Sequence, residues 1–143
     1  PFMCGIAEVD VDKATGEVKV VDYAAAVDCG TVANANLARV QAEGGIVQGI
    51  GQALTEDVQV TEDGFLRTRN LMQYKIPSRL DVPDIRVDFC PSYEPTGPFG
   101  AKSIGEVVIN TPLGAIASAV AHATGHYVRT LPVTPEKALF GEE

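Results

Sequence analysis

Basic residues are scarce: 11 Lys and Arg stand against 19 Asp and Glu, a formal net charge of −8. Binding a phosphate backbone needs a basic footprint, so nucleic acid is not an expected partner. Cysteine is scarcer still. Cys4, Cys29 and Cys90 are widely spaced, odd in number and contain no C-x-x-C pair. That pattern indicates neither a disulfide framework nor a zinc site, and reduced thiols in a cytoplasmic protein are the simpler reading. No apolar run approaches the ~20 residues that span a bilayer, so no membrane partner is expected. The N-terminus lacks the basic-then-apolar order of a signal peptide. It opens on Pro1-Phe2-Met3-Cys4 without an initiator Met, as a processed chain or a piece of a longer one would. There is no internal repeat, low-complexity tract or linker.

What remains is ordinary globular composition: 143 residues, 45% hydrophobic and 21% charged. The length suits one domain, 1–143, with a real core. Ile6 to Val11 alternates as a half-buried strand does, Lys13-Ala14-Thr15-Gly16 supplies a turn, and Val18 to Val27 resumes the strand pattern. The two runs predict an antiparallel hairpin ending at Asp28-Cys29-Gly30. Asn34 and Asn36 are candidate caps for a helix over about 37–57. Its apolar positions are Leu37, Val40, Ile46, Val47, Ile50 and Leu54. Gly44, Gly45, Gly49 and Gly51 lie within it, each costing roughly 1 kcal/mol against Ala, so close backbone contact is expected there. Val58–Val60 and Phe65–Thr68 flank Glu62-Asp63-Gly64 as a second hairpin, and Ile85 to Phe89 alternates as a further strand. Glu106 to Val108 reads as opening or preceding a helix, and Thr111-Pro112 as cap and first helical residue of the second main helix, about 111–124, which is apolar throughout and expected to be buried. His126–Arg129 reads as a short last strand, and Thr134-Pro135-Glu136 as the start of a final helical turn. The fold class is α+β: an antiparallel or mixed sheet of hairpins packed against the two main helices.

Chemistry concentrates in Gly97-Pro98-Phe99-Gly100-Ala101-Lys102-Ser103-Ile104-Gly105-Glu106. Its glycines allow tight turns and close approach to a backbone or ligand. Glu106 is either a carboxylate stabilised by a helix N-terminus or a general base held in a dry pocket. Gln41, Gln48 and Gln52 share one helix face with Gly44 and Gly45, either a solvated surface or a wall for a buried polar ligand. His122 and His126 are spaced as an i, i+4 pair, yet Gly125 falls between them and no further ligand is apparent, so no metal site is expected on side chains alone.

Several motifs together are more specific than any of these. Asp28-Cys29-Gly30-Thr31, the run from Gln41 to Gly51, Tyr74-Lys75-Ile76-Pro77, Gly97 to Glu106, and Leu131 to Glu136 stand in this order along the chain. In that order they resemble the C-terminal portion of the molybdenum-binding subunit of the xanthine dehydrogenase/aldehyde oxidase family. The resemblance departs at Val40, where the family commonly has Gly, and at Ala35, where it commonly has Pro.

The resemblance implies a molybdenum hydroxylase, which hydroxylates an N-heterocycle or aldehyde with oxygen derived from water. It implies a molybdenum–pterin cofactor (molybdopterin, alone or as a cytosine dinucleotide) shared with segments outside this chain. FAD and iron–sulfur clusters would sit on partner domains or subunits. The glutamate closing the loop would be the general base, which makes it Glu106; Gln41 would touch the pterin, and Lys102, Ser103 and Ile104 would lie along the cofactor. The chain alone would be inactive, needing the remainder of the molybdenum-binding subunit. The competing reading is a non-catalytic binding or interaction module that keeps the fold without the cofactor.

Overall fold

A computed structural model describes residues 1–142. Strand β1 (Phe2–Val11) and strand β2 (Val18–Asp28) form the expected antiparallel hairpin, closed by Gly16 N–H donating to the Asp12 carbonyl. The pairing slips by one residue between Glu8 and Val9, so that Val21 is the extra residue in β2. Because side chains alternate with period two, the slip exchanges the faces of everything beyond it. Val18 and Val20 before the bulge and Tyr23, Ala25 and Val27 after it therefore all point inward.

Strand β3 (Asp84–Phe89) lies beside β2 and runs parallel to it, giving a mixed sheet in the order β1-β2-β3. A parallel neighbour needs a crossover, which helix α1 (Ala35–Leu54) begins. Asn34 caps α1: its Oδ1 accepts from the Leu37 N–H at 3.0 Å. Helix α2 (Val107–Thr124) packs against β1 on one side and α1 on the other, and helix α3 (Pro135–Phe140) against its C-terminal half. Thr134 caps α3 with Pro135 in its first turn, as the sequence implied.

Two glycines of α1 explain the tight helix pairing. A Cβ on Gly45 would come 2.3 Å from Val108 Cγ2, and one on Gly49 would come 2.7 Å from the Ile109 carbonyl oxygen. Pro112, fully buried, presses its ring against Gly49. Tyr23 is likewise fully buried, and its hydroxyl meets Thr111 Oγ1 at 3.0 Å, so a buried phenol keeps a partner.

Four expectations need correction. Helix α2 starts at Val107, four residues earlier than the Thr111-Pro112 pair suggested. Thr111 spends its hydroxyl on Tyr23, and Pro112 lies inside the helix, where it has no N–H to donate to the turn before it. Nor is α2 buried throughout. Val108, Pro112, Ile116, Val120 and Ala121 are buried, whereas Asn110, Gly114 and Ser118 are exposed. By length and composition alone α2 could span a bilayer, but its buried stripe is packed as a core helix is. The second hairpin shrinks to a single bridge between Val60 and Leu66. It has no third strand to lean on, and Val58, Val60, Phe65 and Leu66 stay exposed. The stretch 126–129 is no strand. The N–H groups of Arg129 and Thr130 donate to the Glu142 carboxylate instead, each at 2.9 Å.

The glycines of α1 differ in what they permit. Gly49→Ala places a methyl against backbone, and the strain of about 1–3 kcal/mol outweighs the ~1 kcal/mol that Ala gains in helix propensity. Gly44 has open space around its Cβ position. Urea unfolding should therefore show Gly49→Ala less stable than the parent and Gly44→Ala more stable by about 0.5–1 kcal/mol.

Candidate functional site

The site begins where β2 ends. Gly30 takes φ +68, a left-handed conformation that turns the chain immediately after Cys29. Here the Pro98–Gly100 turn crosses it so closely that a Cβ on Gly30 would lie 2.3 Å from the Gly100 carbonyl oxygen. Gly30 and Ala101 pair as an isolated antiparallel bridge. Around it, Thr31 N–H donates to the Gly100 carbonyl at 3.0 Å and Lys102 N–H donates to the Cys29 carbonyl at 2.8 Å. The loop is thereby pinned to the end of the sheet by its own backbone.

Side chains add a second fastening. Lys102 Nζ lies 2.6 Å from Asp28 Oδ2 and 5.4 Å above the centre of the Phe2 ring. The other carboxylate oxygen of Asp28 accepts from Ser92 Oγ at 2.6 Å and from the Gly30 N–H at 2.9 Å. The Lys102 ammonium beside Asp28, helped by Ser92 and the Gly30 N–H, holds its carboxyl well below the usual carboxylate range.

Downstream of Lys102 the chain runs as a short strap into α2. Gln41 on α1 donates its side-chain Nε2–H to the Gly105 carbonyl at 3.0 Å. Between the two fastenings, the N–H groups of Ser103, Ile104 and Gly105 find no acceptor among the described residues. Ser103 is exposed, while Ile104 packs part-buried on the core. Glu106 takes the capping position of α2, and its carbonyl accepts from the Ile109 N–H at 3.1 Å. Its side chain makes no cap hydrogen bond and is exposed. Among the described residues the Glu106 carboxylate has no ion-pair partner.

Gln41, Lys102, Ser103, Ile104 and Glu106 are thus brought to one end of the domain. Gln48 and Gln52 are not part of it; they are exposed along α1. The expected face of glutamines and glycines divides, because Gly45 and Gly49 turn toward α2 while Gly44 turns outward. His126 lies off the helix altogether, since Gly125 with φ +84 ends α2. A cavity of about 470 Å³ opens at the far end of α1, lined by Val18, Val20, Ile50, Leu54 and Val133 among others, and includes none of these residues.

Sequence reading missed the parts played by Asp28 and Ser92. Asp28 was visible as the start of a turn and of a family motif, and its partner stands 74 residues later. The available signal was modest: a lone Asp before a glycine turn, and a lone Lys in a glycine loop whose other charge is Glu106.

Comparison with known proteins places these residues in context. A family profile described as the molybdopterin cofactor-binding domain matches residues 1–83, which include Gln41 but stop short of the strap. The chain is 39% identical over 140 residues to a probable hypoxanthine oxidase, XdhD, of Escherichia coli, covering 97% of this chain and 15% of that protein. It is 36% identical over 137 residues to a xanthine dehydrogenase molybdenum-binding subunit of Escherichia coli, covering 95% of this chain and 18% of that one. Among solved structures, the aldehyde oxidoreductase of Desulfovibrio desulfuricans superposes with a TM-score of 0.88 at 34% identity, over 99% of this chain and 16% of that chain. The chain therefore spans under a fifth of the length of each of these proteins, and the alignments run through the strap and Glu106.

The Asp28 fastening has a pH signature. A carboxyl held below its unfolded value contributes stability that is complete above that value, roughly pH 4. The contribution is lost as the pH falls from there toward the lower folded value. The stability advantage of the parent over Asp28→Asn should therefore be constant from neutral pH down to about 5 and shrink below about 4. Chemical denaturation of both proteins across that range measures it; an advantage that persists unchanged to strongly acid pH contradicts the assignment.

Proposed function

Because the chain belongs to the xanthine dehydrogenase/aldehyde oxidase family and carries its molybdopterin cofactor-binding domain, we propose that it forms one wall of a molybdenum hydroxylase active site and supplies the general base, Glu106. The reaction is the hydroxylation of an N-heterocycle or an aldehyde, in which R–H and water become R–OH with release of two electrons and two protons. The observation that carries this reading is the state of Glu106. Its carboxylate is exposed and, among the described residues, makes no cap hydrogen bond and no ion pair, at the end of a strap fastened on both sides.

The residues fit a pterin-bound cofactor unevenly. Three consecutive N–H groups, Ser103 to Gly105, are free to donate to acceptors on it. Gln41 gives one N–H to Gly105 and keeps its amide oxygen and second N–H for a ligand. Lys102 contributes through the strap backbone at most, since its ammonium is already held by Asp28. When bound, the cofactor would supply a redox metal centre that takes up the two electrons and lowers the pKa of water at the metal.

The part of this chain is then narrow. Glu106 accepts the proton at its carboxylate, the strap fixes where that carboxylate stands, and α1 holds the strap through Gln41. The remainder of the molybdenum-binding subunit would complete the pocket and grip the substrate. FAD and iron–sulfur partners would carry the electrons away. This division follows from the chain's spanning 15–18% of its relatives.

Glu106→Gln in the assembled subunit keeps the size of the side chain and removes its proton affinity. Hydroxylation should fall by about 10²–10⁴-fold, the usual worth of a positioned base. Molybdenum content, measured on the same samples, should match the parent. Undiminished turnover would end the claim for Glu106, and a matching loss of molybdenum would recast it as a cofactor contact.

A further inference from the structure

Lys102 looks at first like a cation offered to a ligand, since it is the only basic residue in the glycine loop. Its environment says otherwise. The Lys102 side chain is 14% exposed and that of Asp28 is 19% exposed, so the pair is largely withdrawn from water. Asp28 is satisfied three times over, by Lys102, Ser92 and the Gly30 N–H. The Phe2 ring from β1 covers the ammonium. A charged pair this withdrawn gains little net stability over apolar residues of similar size, so its value lies in geometry. That geometry is exacting: Asp28 is the last residue of β2, the central strand of the sheet. Lys102 is four positions from Glu106.

We propose that the Asp28–Lys102 ion pair, braced by Ser92, is the positioning device for Glu106, a tether that ties the strap to the central strand and sets where the base stands. Lys102 is a positioning residue under this inference and makes no side-chain contact with the cofactor. The inference rests on reading Glu106 as the base. With the tether closed, the strap is fixed at Lys102 by backbone and side chain and at Gly105 by Gln41. With it open, the strap loses its side-chain anchor to the sheet, and the Lys102 N–H, the packing of Ile104 and the Gln41 contact to Gly105 are what resist a shift of the four residues leading to Glu106. Small displacements of a base matter, because proton transfer needs hydrogen-bond reach.

Hydrogen exchange on the 143-residue chain tests this without any cofactor. In Lys102→Met and in Asp28→Asn, the hydrogen-bonded amides around the strap, those of Thr31, Ala101, Lys102 and Ile109, should exchange about tenfold faster or more, while those of 42–53 in α1 stay at parental rates. The double variant should be no faster than either single one, since both remove the same contact. The charge-swapped Asp28→Lys/Lys102→Asp should recover part of the protection, which a residue needed only for packing would not do. Ser92→Ala leaves both charges in place and should give a smaller rise confined to the same segment; it carries the test should Lys102→Met fail to fold. Parental exchange at Thr31, Ala101, Lys102 and Ile109 in Lys102→Met or Ser92→Ala overturns the tether, and so does a rise spread evenly over the whole chain. In the assembled subunit, Lys102→Met should lower kcat with little change in KM. The two readings fail separately. Undiminished hydroxylation by Glu106→Gln removes the base and leaves the exchange result standing, whereas flat exchange removes the tether and leaves the base.

Discussion

The close crossing of Gly30 and the Gly100 carbonyl is the constraint on which the rest of the site depends. Two chain segments about 70 residues apart approach so closely that a β-carbon at Gly30 would lie 2.3 Å from the Gly100 carbonyl oxygen. Two left-handed glycines, φ +68 and φ +81, are the local means. The gain is a short run of interstrand hydrogen bonds at the end of β2, outside any regular strand. Everything downstream inherits its position from that crossing. Lys102 lands within reach of Asp28, Gly105 within reach of Gln41, and α2 starts at Val107 with Glu106 just ahead of it.

A second close approach serves the same end from the other side. Gly45 and Gly49 let α1 lie against Val108, Ile109 and Pro112 of α2. Glycine weakens a helix, and these two are tolerated because the pairing they allow brings Gln41 to the strap. Gly44 has no such contact, and nothing in the structure of this chain explains it. The two crossings together make the strap a bridge between sheet and helix pair, anchored by charge at one end and by an amide at the other.

How much of this was legible depended on whether the deciding interaction was local. The β1–β2 hairpin, the helix start at Thr134 and the α+β class follow from patterns a few residues long and hold, although β1 begins earlier, at Phe2, and of the two candidate caps Asn34 is the one used. Thr111-Pro112 misled because the local rule was correct and a distant partner overrode it: Thr111 is claimed by Tyr23, 88 residues earlier. The second hairpin failed for the opposite reason, since its local pattern was sound but no neighbouring strand supports it. At the site, glycines and a terminal carboxylate marked the loop. The Asp28–Lys102 contact could not be seen, because nothing in a sequence says which acid finds which base across 74 positions. Pattern alone left Glu106 divided between cap and catalyst. The structure places Glu106 at the N-terminus of α2 without a side-chain cap hydrogen bond, a position compatible with both roles.

The remaining question is why the strap keeps its one cation neutralised. A free ammonium four residues from Glu106 would be a second charge for the strap to offer a ligand. Paired with Asp28, Lys102 contributes a fixed point rather than a field, so the strap presents only backbone donors and one carboxylate to whatever faces it. That division suits the proposed chemistry. Neutral N–H groups can follow the outline of a large polar ligand, while the single titratable group does the proton transfer. It also locates the missing contribution. The carboxylate stands in water on this chain alone, and a base of this kind works in a dry pocket. Under the proposed function, what excludes that water would be a surface laid over Glu106 from outside these residues. The part this chain can play is to hold the carboxylate still until that surface closes on it.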